Sequence, residues 1–135
     1  MTSSIIVLFG EAEKGDLEKP YYCQNLEQLF ELLGQPPSQT QGLHFAVQSL
    51  MYGHPCLYFR VQEEGVSVPD YHFGLGFLHK ASPNPQFPHI GALGFPGMGL
   101  QEVIEEGLII CKEHRSLLLM SEQDFYDWLT DKPVT

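Results

Sequence analysis

Short apolar runs alternate along the chain with segments in which apolar residues recur every three or four positions. The first run, Ile5 to Phe9, is apolar on both faces and rich in β-branched residues, which predicts a central buried strand. The run from Cys56 to Val61 predicts a second strand, and another begins at Ile90. The run from Ser116 to Met120 predicts the last strand, and Pro20 to Cys23 is a candidate for one more short strand.

Helical spacing of apolar residues predicts five helices. Asn25 is the candidate N-cap of the first helix, and Gly34 is its candidate C′ residue. The second helix is expected to open at Ser38 or Thr40 and to end at Gly53. The other three are predicted over residues 70–80, over residues 100–112 and after Ser121.

Internal glycines weaken the prediction of the third helix, whereas a capping pattern marks the start of the last. Gly74 and Gly76 lie inside the third helix, where each costs about 1 kcal/mol relative to alanine. Ser121 is the predicted N-cap of the last helix, with Asp124 at the capping-box position in place of glutamate. The residues expected to pack that helix on the core are Phe125, Trp128 and Leu129.

The order of these elements predicts the fold class. Two apolar runs joined by one crossover helix, as between Pro88 and Met120, are expected to form neighbouring parallel strands with the helix packed on the sheet. The complete order therefore predicts an α/β three-layer sandwich with a mostly parallel sheet flanked by helices. With 135 residues, the chain is expected to form a single α/β domain over residues 1–135.

The charge of the chain limits the classes of partner that it can bind, and its cysteine content indicates the cellular compartment. The chain has 17 acidic and 7 basic residues, a formal net charge of −10. Because no basic stripe is present, neither nucleic acid nor an anionic membrane is expected as a partner. Cys23, Cys56 and Cys111 are odd in number and far apart, which indicates buried thiols in a reducing compartment. The first apolar run is too short for a signal peptide or a membrane span, so a cytoplasmic location is expected.

A glycine-rich segment follows the strand that is predicted to begin at Ile90. Backbone N–H groups between a strand and a helix can bind an anion. However, the glycines match neither nucleotide-binding pattern, no lysine follows them, and the proline removes one donor. The prediction is instead a tight structural turn that needs glycine dihedral angles, formed by Gly94, Pro96, Gly97 and Gly99.

No residue set specifies a reaction. His72 and His79 are seven positions apart, so they share a helix face but lie too far apart to bind one metal ion together. Glu102, Glu105 and Glu106 are interpreted as the solvated face of a helix. The sequence therefore predicts no catalytic residues, no metal ligands and no cofactor.

A ligand-binding or enzymatic domain is the alternative interpretation. In an open α/β sheet, ligands bind in the crevice at the carboxyl ends of the strands. Here that crevice would be acidic, which suits a cationic ligand or a divalent metal ion. The residues expected to give it this character are Glu11, Glu13, Glu63, Glu64, Ser121 and Glu122.

Two stretches of the chain resemble the contractile tail sheath family of phages and phage-derived injection machines. The first starts with VLFGEAEKG (7–15), includes LEQLF (26–30) and GLHFAV (42–47), and ends at YFRV (58–61). Sheath proteins show a similar succession of a strand with a G-x-A-x-x-G-like loop, two helices, and a strand ending in Arg-Val. In the second, Ile90 to Met120, LGFPG (93–97) and the following helix are similar to the sheath L-x-x-P-G step.

The resemblance implies an α/β core that packs against copies of itself around a tube, and it implies no catalytic residues. Sheath subunits add strands to a neighbouring sheet through extended terminal arms. Such arms are not seen in this sequence, so the chain is expected to be a minimal sheath-like core, a cap or baseplate accessory, or a relative with another role. The expected function is a non-enzymatic structural module whose partner is another protein or a second copy.

Overall fold

The computed structural model describes residues 4–130, which form a five-stranded sheet and five helices. The predicted α/β fold with a mostly parallel sheet is confirmed. The elements are, in order, β1 (Ile5–Gly10), β2 (Pro20–Cys23), α1 (Leu26–Leu33), α2 (Gly42–Met51), β3 (Cys56–Arg60), α3 (Val68–Ala81), β4 (Ile90–Gly94), α4 (Gln101–His114), β5 (Leu117–Leu119) and α5 (Glu122–Thr130).

The strand order in the sheet is β2-β3-β1-β4-β5. β1 lies in the centre, as its two-sided apolar pattern predicts, and pairs in parallel with both β3 and β4. β5 is parallel to β4, whereas β2 is an edge strand that runs antiparallel to β3. Because β3 and β4 lie on opposite sides of β1, the chain reverses its winding direction at the carboxyl end of β1.

Helices cover both faces of the sheet, and each face has its own hydrophobic cluster. Phe9 of β1 belongs to a core cluster that includes buried residues of α3 and α4. Leu8, on the opposite face, belongs to a second cluster with buried residues of α1 and α2. Because alternate residues of a strand face opposite ways, the central strand divides the core into two layers.

A glycine lets α3 lie directly on the aromatic core. A Cβ atom at Gly74 would overlap the ring of Phe9 and would lie 3.1 Å from Cγ of Phe59. The rings of Phe9 and Phe59 are themselves stacked, with centroids 4.9 Å apart. Gly76, two positions later in the same helix, has nothing within 4 Å of such an atom. The two glycines therefore differ, since only Gly74 is required by packing.

The start of α2 differs from the prediction. The helix begins at Gly42, not at Ser38 or Thr40, and the Thr40 hydroxyl donates instead to the carbonyl of Pro37 (2.6 Å). The first N–H groups of α2 are bound by the carboxylate of Glu64. The prediction was wrong because this cap comes from a residue distant in sequence.

The last helix is capped as predicted but is oriented differently. The backbone N–H of Asp124 donates to Oγ of Ser121 (3.1 Å), which confirms the cap. Trp128 packs against the core, whereas Phe125 and Leu129 are about half exposed, contrary to the prediction. The Asp124 carboxylate is buried and binds the turn after β4, and this contact sets which face of α5 turns inward.

All three thiols are free and buried. Cys23 and Cys56 are directly opposite each other in the β2–β3 pair. Burial raises the pKa of the Cys23 thiol to about 11 and the pKa of the Cys111 thiol to about 11. Burial, followed by the neighbouring Cys23, also raises the pKa of Cys56. Each thiol is therefore protonated near neutral pH and is a poor nucleophile.

We expect the thiols to resist alkylation in the folded protein. With a pKa near 11, only about one thiol in a thousand is ionised at pH 8. Mass spectrometry after treatment with iodoacetamide should show almost unmodified native protein and three modified cysteines after unfolding in urea. Rapid labelling of Cys111 under native conditions would contradict its burial.

Candidate functional site

Two glutamates join the loops that follow β1 and β3. The backbone N–H of Glu11 donates to Oε2 of Glu64 (2.9 Å), and the backbone N–H of Glu64 donates to Oε2 of Glu11 (2.9 Å). Two of the residues predicted to line a crevice at the carboxyl ends of the strands therefore contact each other. Their carboxylates bind backbone groups and hold the two loops together.

The Glu64 carboxylate also caps α2. Its oxygens accept the backbone N–H groups of Gln41 (2.9 Å) and Gly42 (3.0 Å). A helix N-terminus in this place commonly binds a phosphate in α/β proteins, because its N–H groups and dipole favour an anion. Here a side chain of the protein is the anion. Gly42 lies so close to Gly10 that a Cβ atom on it would be 2.6 Å from the Gly10 Cα, which leaves no space for a ligand.

Two buried tyrosines lie under these loops. The Tyr58 hydroxyl donates to the carbonyl of Glu11 (2.9 Å), and the Tyr71 hydroxyl accepts the N–H of Gly65 (2.8 Å). Burial, with a further contribution from nearby Glu64, raises the pKa of Tyr58 well above its usual value. Burial likewise raises the pKa of Tyr71, although the Gly65 N–H opposes this effect. Both phenols are therefore neutral at physiological pH and serve as hydrogen-bonding groups.

The predicted structural turn lies between β4 and α4. Of its glycines, Gly97 alone has a positive φ (+85°). Its N–H donates to Oδ2 of the buried Asp124 (3.0 Å), so this backbone donor also has a carboxylate partner from the chain. Gly94 and Gly99 are required by space, because a Cβ atom would lie 3.1 Å from Leu8 Cδ2 or 2.6 Å from Asp127 Cβ, respectively.

The other predicted crevice residues do not converge with this pair on one centre. Oε1 of Glu13 accepts the N–H of Gln35 (3.2 Å), while Ser121 caps α5. Glu63 is exposed, and Glu122 lies in the exposed first turn of α5. Within residues 4–130, no three histidine, cysteine or acidic side chains are grouped so that they could hold a metal ion.

Two histidines of α3 instead contact glutamates of α4. His72 Nδ1 lies 2.7 Å from Glu106 Oε1, and His79 Nδ1 lies 2.8 Å from Glu113 Oε2. Glu106, interpreted from the sequence as part of a solvated helix face, therefore also contacts His72. The signal in the sequence was the shared spacing of seven residues, which places both pairs along one helix–helix contact.

A large concave surface in the described part of the chain is an open half of one sheet face. α1 and α2 lie over β2, β3 and β1, and beyond α2 a groove of about 640 Å³ runs over β1, β4 and β5. Leu8, Gly94 and Leu119 are adjacent in register across these three strands and form its floor. Because Gly94 has no side chain, the floor is deepest at the middle strand.

The groove is apolar and accessible. Phe45 of α2 and Tyr52, the residue that follows the helix, form one wall of the groove, and Tyr52 is 81% exposed. On the opposite side, Leu119 is 50% exposed. Among the described residues that line the groove there is no aspartate, glutamate, lysine or arginine. Apolar surface of this kind on a folded protein marks a site of interaction with another macromolecule or an apolar ligand.

Comparison with known proteins does not identify a family. No family model matches the sequence, and no curated protein shows a significant match to it. Within residues 4–130, no helix is both long enough and apolar enough to span a membrane.

Proposed function

We propose that the chain is a non-enzymatic structural module, similar to the core of a contractile tail sheath subunit and of phage-derived origin, that acts by self-association or by docking to a larger assembly. The observation that carries the proposal is the open apolar groove between α2 and β5. In a three-layer sandwich this half of the sheet face would be covered by a helix, and no helix within residues 4–130 covers it here. Contact with another protein chain would cover it.

The chemistry of the groove supports a protein partner. Its floor consists of aliphatic side chains on strands, which are rigid, and Phe45 and Tyr52 on the wall are the aromatic types that are enriched in interface cores. The net charge of −10 disfavours a nucleic acid or an anionic membrane as the partner. The three buried free thiols support a reducing location such as the cytoplasm.

The acidic crevice supports a structural role better than a catalytic one. Glu11, Glu64 and Asp124 each use carboxylate oxygens to bind backbone N–H groups that would otherwise be available to an anionic ligand. A cationic ligand would have to compete with the same hydrogen bonds. The alternative in which an acidic crevice binds a cationic ligand therefore has no observation of its own that favours it.

Site-specific photo-cross-linking tests the proposal. We expect p-benzoylphenylalanine in place of Tyr52 to give one discrete protein adduct in cells that make the protein, with the chain itself or with an unlike protein. The same probe in place of Ile109, which is exposed on α4 on the other side of the sheet, is the control and should give none.

A second substitution makes this test specific for the groove. Leu119→Thr places a β-branched residue, which suits a strand, in β5 but removes apolar surface from the floor, so the Tyr52 adduct should disappear. The proposal fails if Tyr52 yields no adduct, or if the adduct persists unchanged in the Leu119→Thr variant.

A further inference from the structure

One face of α5 exposes an apolar ridge. Phe125, Tyr126 and Leu129 recur at helical spacing and are 47%, 61% and 48% exposed. The opposite face is fixed to the body of the protein, because Asp124 binds the Gly97 N–H and Trp128 packs on the core. The ridge therefore points away from the protein that carries it. Apolar residues at such spacing are the usual anchors of a helix that binds in a groove.

The ridge and the groove match in length and chemistry. α5 has 9 residues and is about 14 Å long, while α2, which forms the wall of the groove, has 10 residues and is about 15 Å long. The described lining of the groove contains no aspartate or glutamate, so it contains no carboxylate that repels the acidic residues of α5. A helix on this face would also add a layer over β4 and β5.

The ridge and the groove are also neighbours on the surface. Ser121 borders both the groove and the exposed face of α5. An exposed apolar helix face beside an apolar groove can form a two-fold interface, because each copy then supplies both parts. We propose that the occupant of the groove is α5 of a second copy of this chain, in a reciprocal two-fold dimer. This inference rests on the proposed function and names the partner.

The net charge gives the dimer a distinctive dependence on salt. Two copies, each with a formal charge of −10, repel one another at long range, although no acidic residue is among the described residues that line the groove. Added salt screens this repulsion, so it should strengthen the dimer. A basic partner protein in the groove would show the opposite dependence, because salt would screen its attraction.

Complementary variants test the inference by sedimentation over a concentration series. The groove variant carries Tyr52→Ala and Leu119→Thr, and the ridge variant carries Tyr126→Ala and Leu129→Ala. Each variant alone should dimerise at least roughly tenfold more weakly than the parent chain. Ile109→Ala is the control, and circular dichroism with a thermal melt verifies that each variant is folded.

Mixing the two variants is the decisive step. The groove of the ridge variant and the ridge of the groove variant are both intact, so the mixture should form a heterodimer held by one of the two contacts. A dimer that strengthens with salt, weakens in each variant and reappears on mixing supports the inference. A monomer at every concentration, or a dimer that the variants do not affect, overturns it.

These outcomes also separate the inference from the proposed function. If the purified chain stays monomeric while the Tyr52 probe captures an unlike protein in a Leu119-dependent way, the second copy is wrong and the docking module stands. If the purified chain is monomeric and the probe gives no adduct, both fail.

Discussion

Replacement of Glu64 by alanine should destabilise the protein by about 3–5 kcal/mol, because three backbone N–H groups lose a charged acceptor at once. Two of these groups belong to the start of α2, and the third belongs to Glu11 in the loop after β1. Glu64→Gln should cost roughly half as much, since an amide oxygen at the Oε2 position still accepts two of the N–H groups while its NH₂ group faces the third. Urea unfolding followed by the fluorescence of the single tryptophan, Trp128, measures both changes.

The neighbouring glutamate provides the control. Glu63 is exposed, so Glu63→Ala should change the free energy of unfolding by no more than about 0.5 kcal/mol. Equal effects of the two alanine substitutions would show that the Glu64 carboxylate does not hold α2 and the β1 loop together.

Two alanine substitutions in α3 should have opposite signs. Gly74→Ala places a methyl group inside the ring of Phe9, which is buried between the sheet and the helix, so a destabilisation of about 2–3 kcal/mol is expected. Gly76→Ala meets nothing within 4 Å and improves helix propensity, so it should stabilise the protein by about 0.5–1 kcal/mol. Thermal and urea unfolding of the two variants, measured side by side, gives the comparison.

The opposite signs are the critical result. If both substitutions stabilise the protein, α3 is not seated on Phe9 as closely as the geometry indicates. If both destabilise it equally, an effect common to helical glycines is responsible, and the packing contact is not.

The local sequence was sufficient to predict the helices and strands and to identify the central strand of the sheet. Ile5 to Phe9 is apolar on both faces, and only a strand with neighbours on both sides and helices on both faces buries such a run. Asn25 also caps α1 as its pattern predicts, with its side chain accepting the N–H of Gln28 (2.9 Å). In each case the residues that determine the structure lie within a few positions of one another.

Long-range contacts account for the features that local pattern could not supply. The cap of α2 comes from Glu64, 22 residues after Gly42, and no local capping pattern contains it. The contact between Asp124 and Gly97, 27 residues earlier, sets which face of α5 turns toward the core. Periodicity alone therefore assigned Phe125 to the wrong face.

The candidate site itself was the least predictable part. The open groove exists because α5 packs beside the turn after β4, against Gly99, and leaves the sheet face over β5 uncovered. Sequence analysis correctly placed Glu11 and Glu64 at one edge of the sheet. However, it could not show that their carboxylates would bind backbone groups of their own chain.

The position of β1 at the centre of the sheet has a consequence for how the chain acquires its structure during synthesis. Val7 pairs with Leu57 on one side and with Leu93 on the other, so the middle strand is made first and its second neighbour is made much later. At about 5–20 residues per second, roughly 4–17 seconds separate the synthesis of Val7 from that of Leu93. During this interval an apolar strand has an unpaired edge on the ribosome. Until β4 emerges, the nascent chain therefore exposes a strand edge that other segments can pair with.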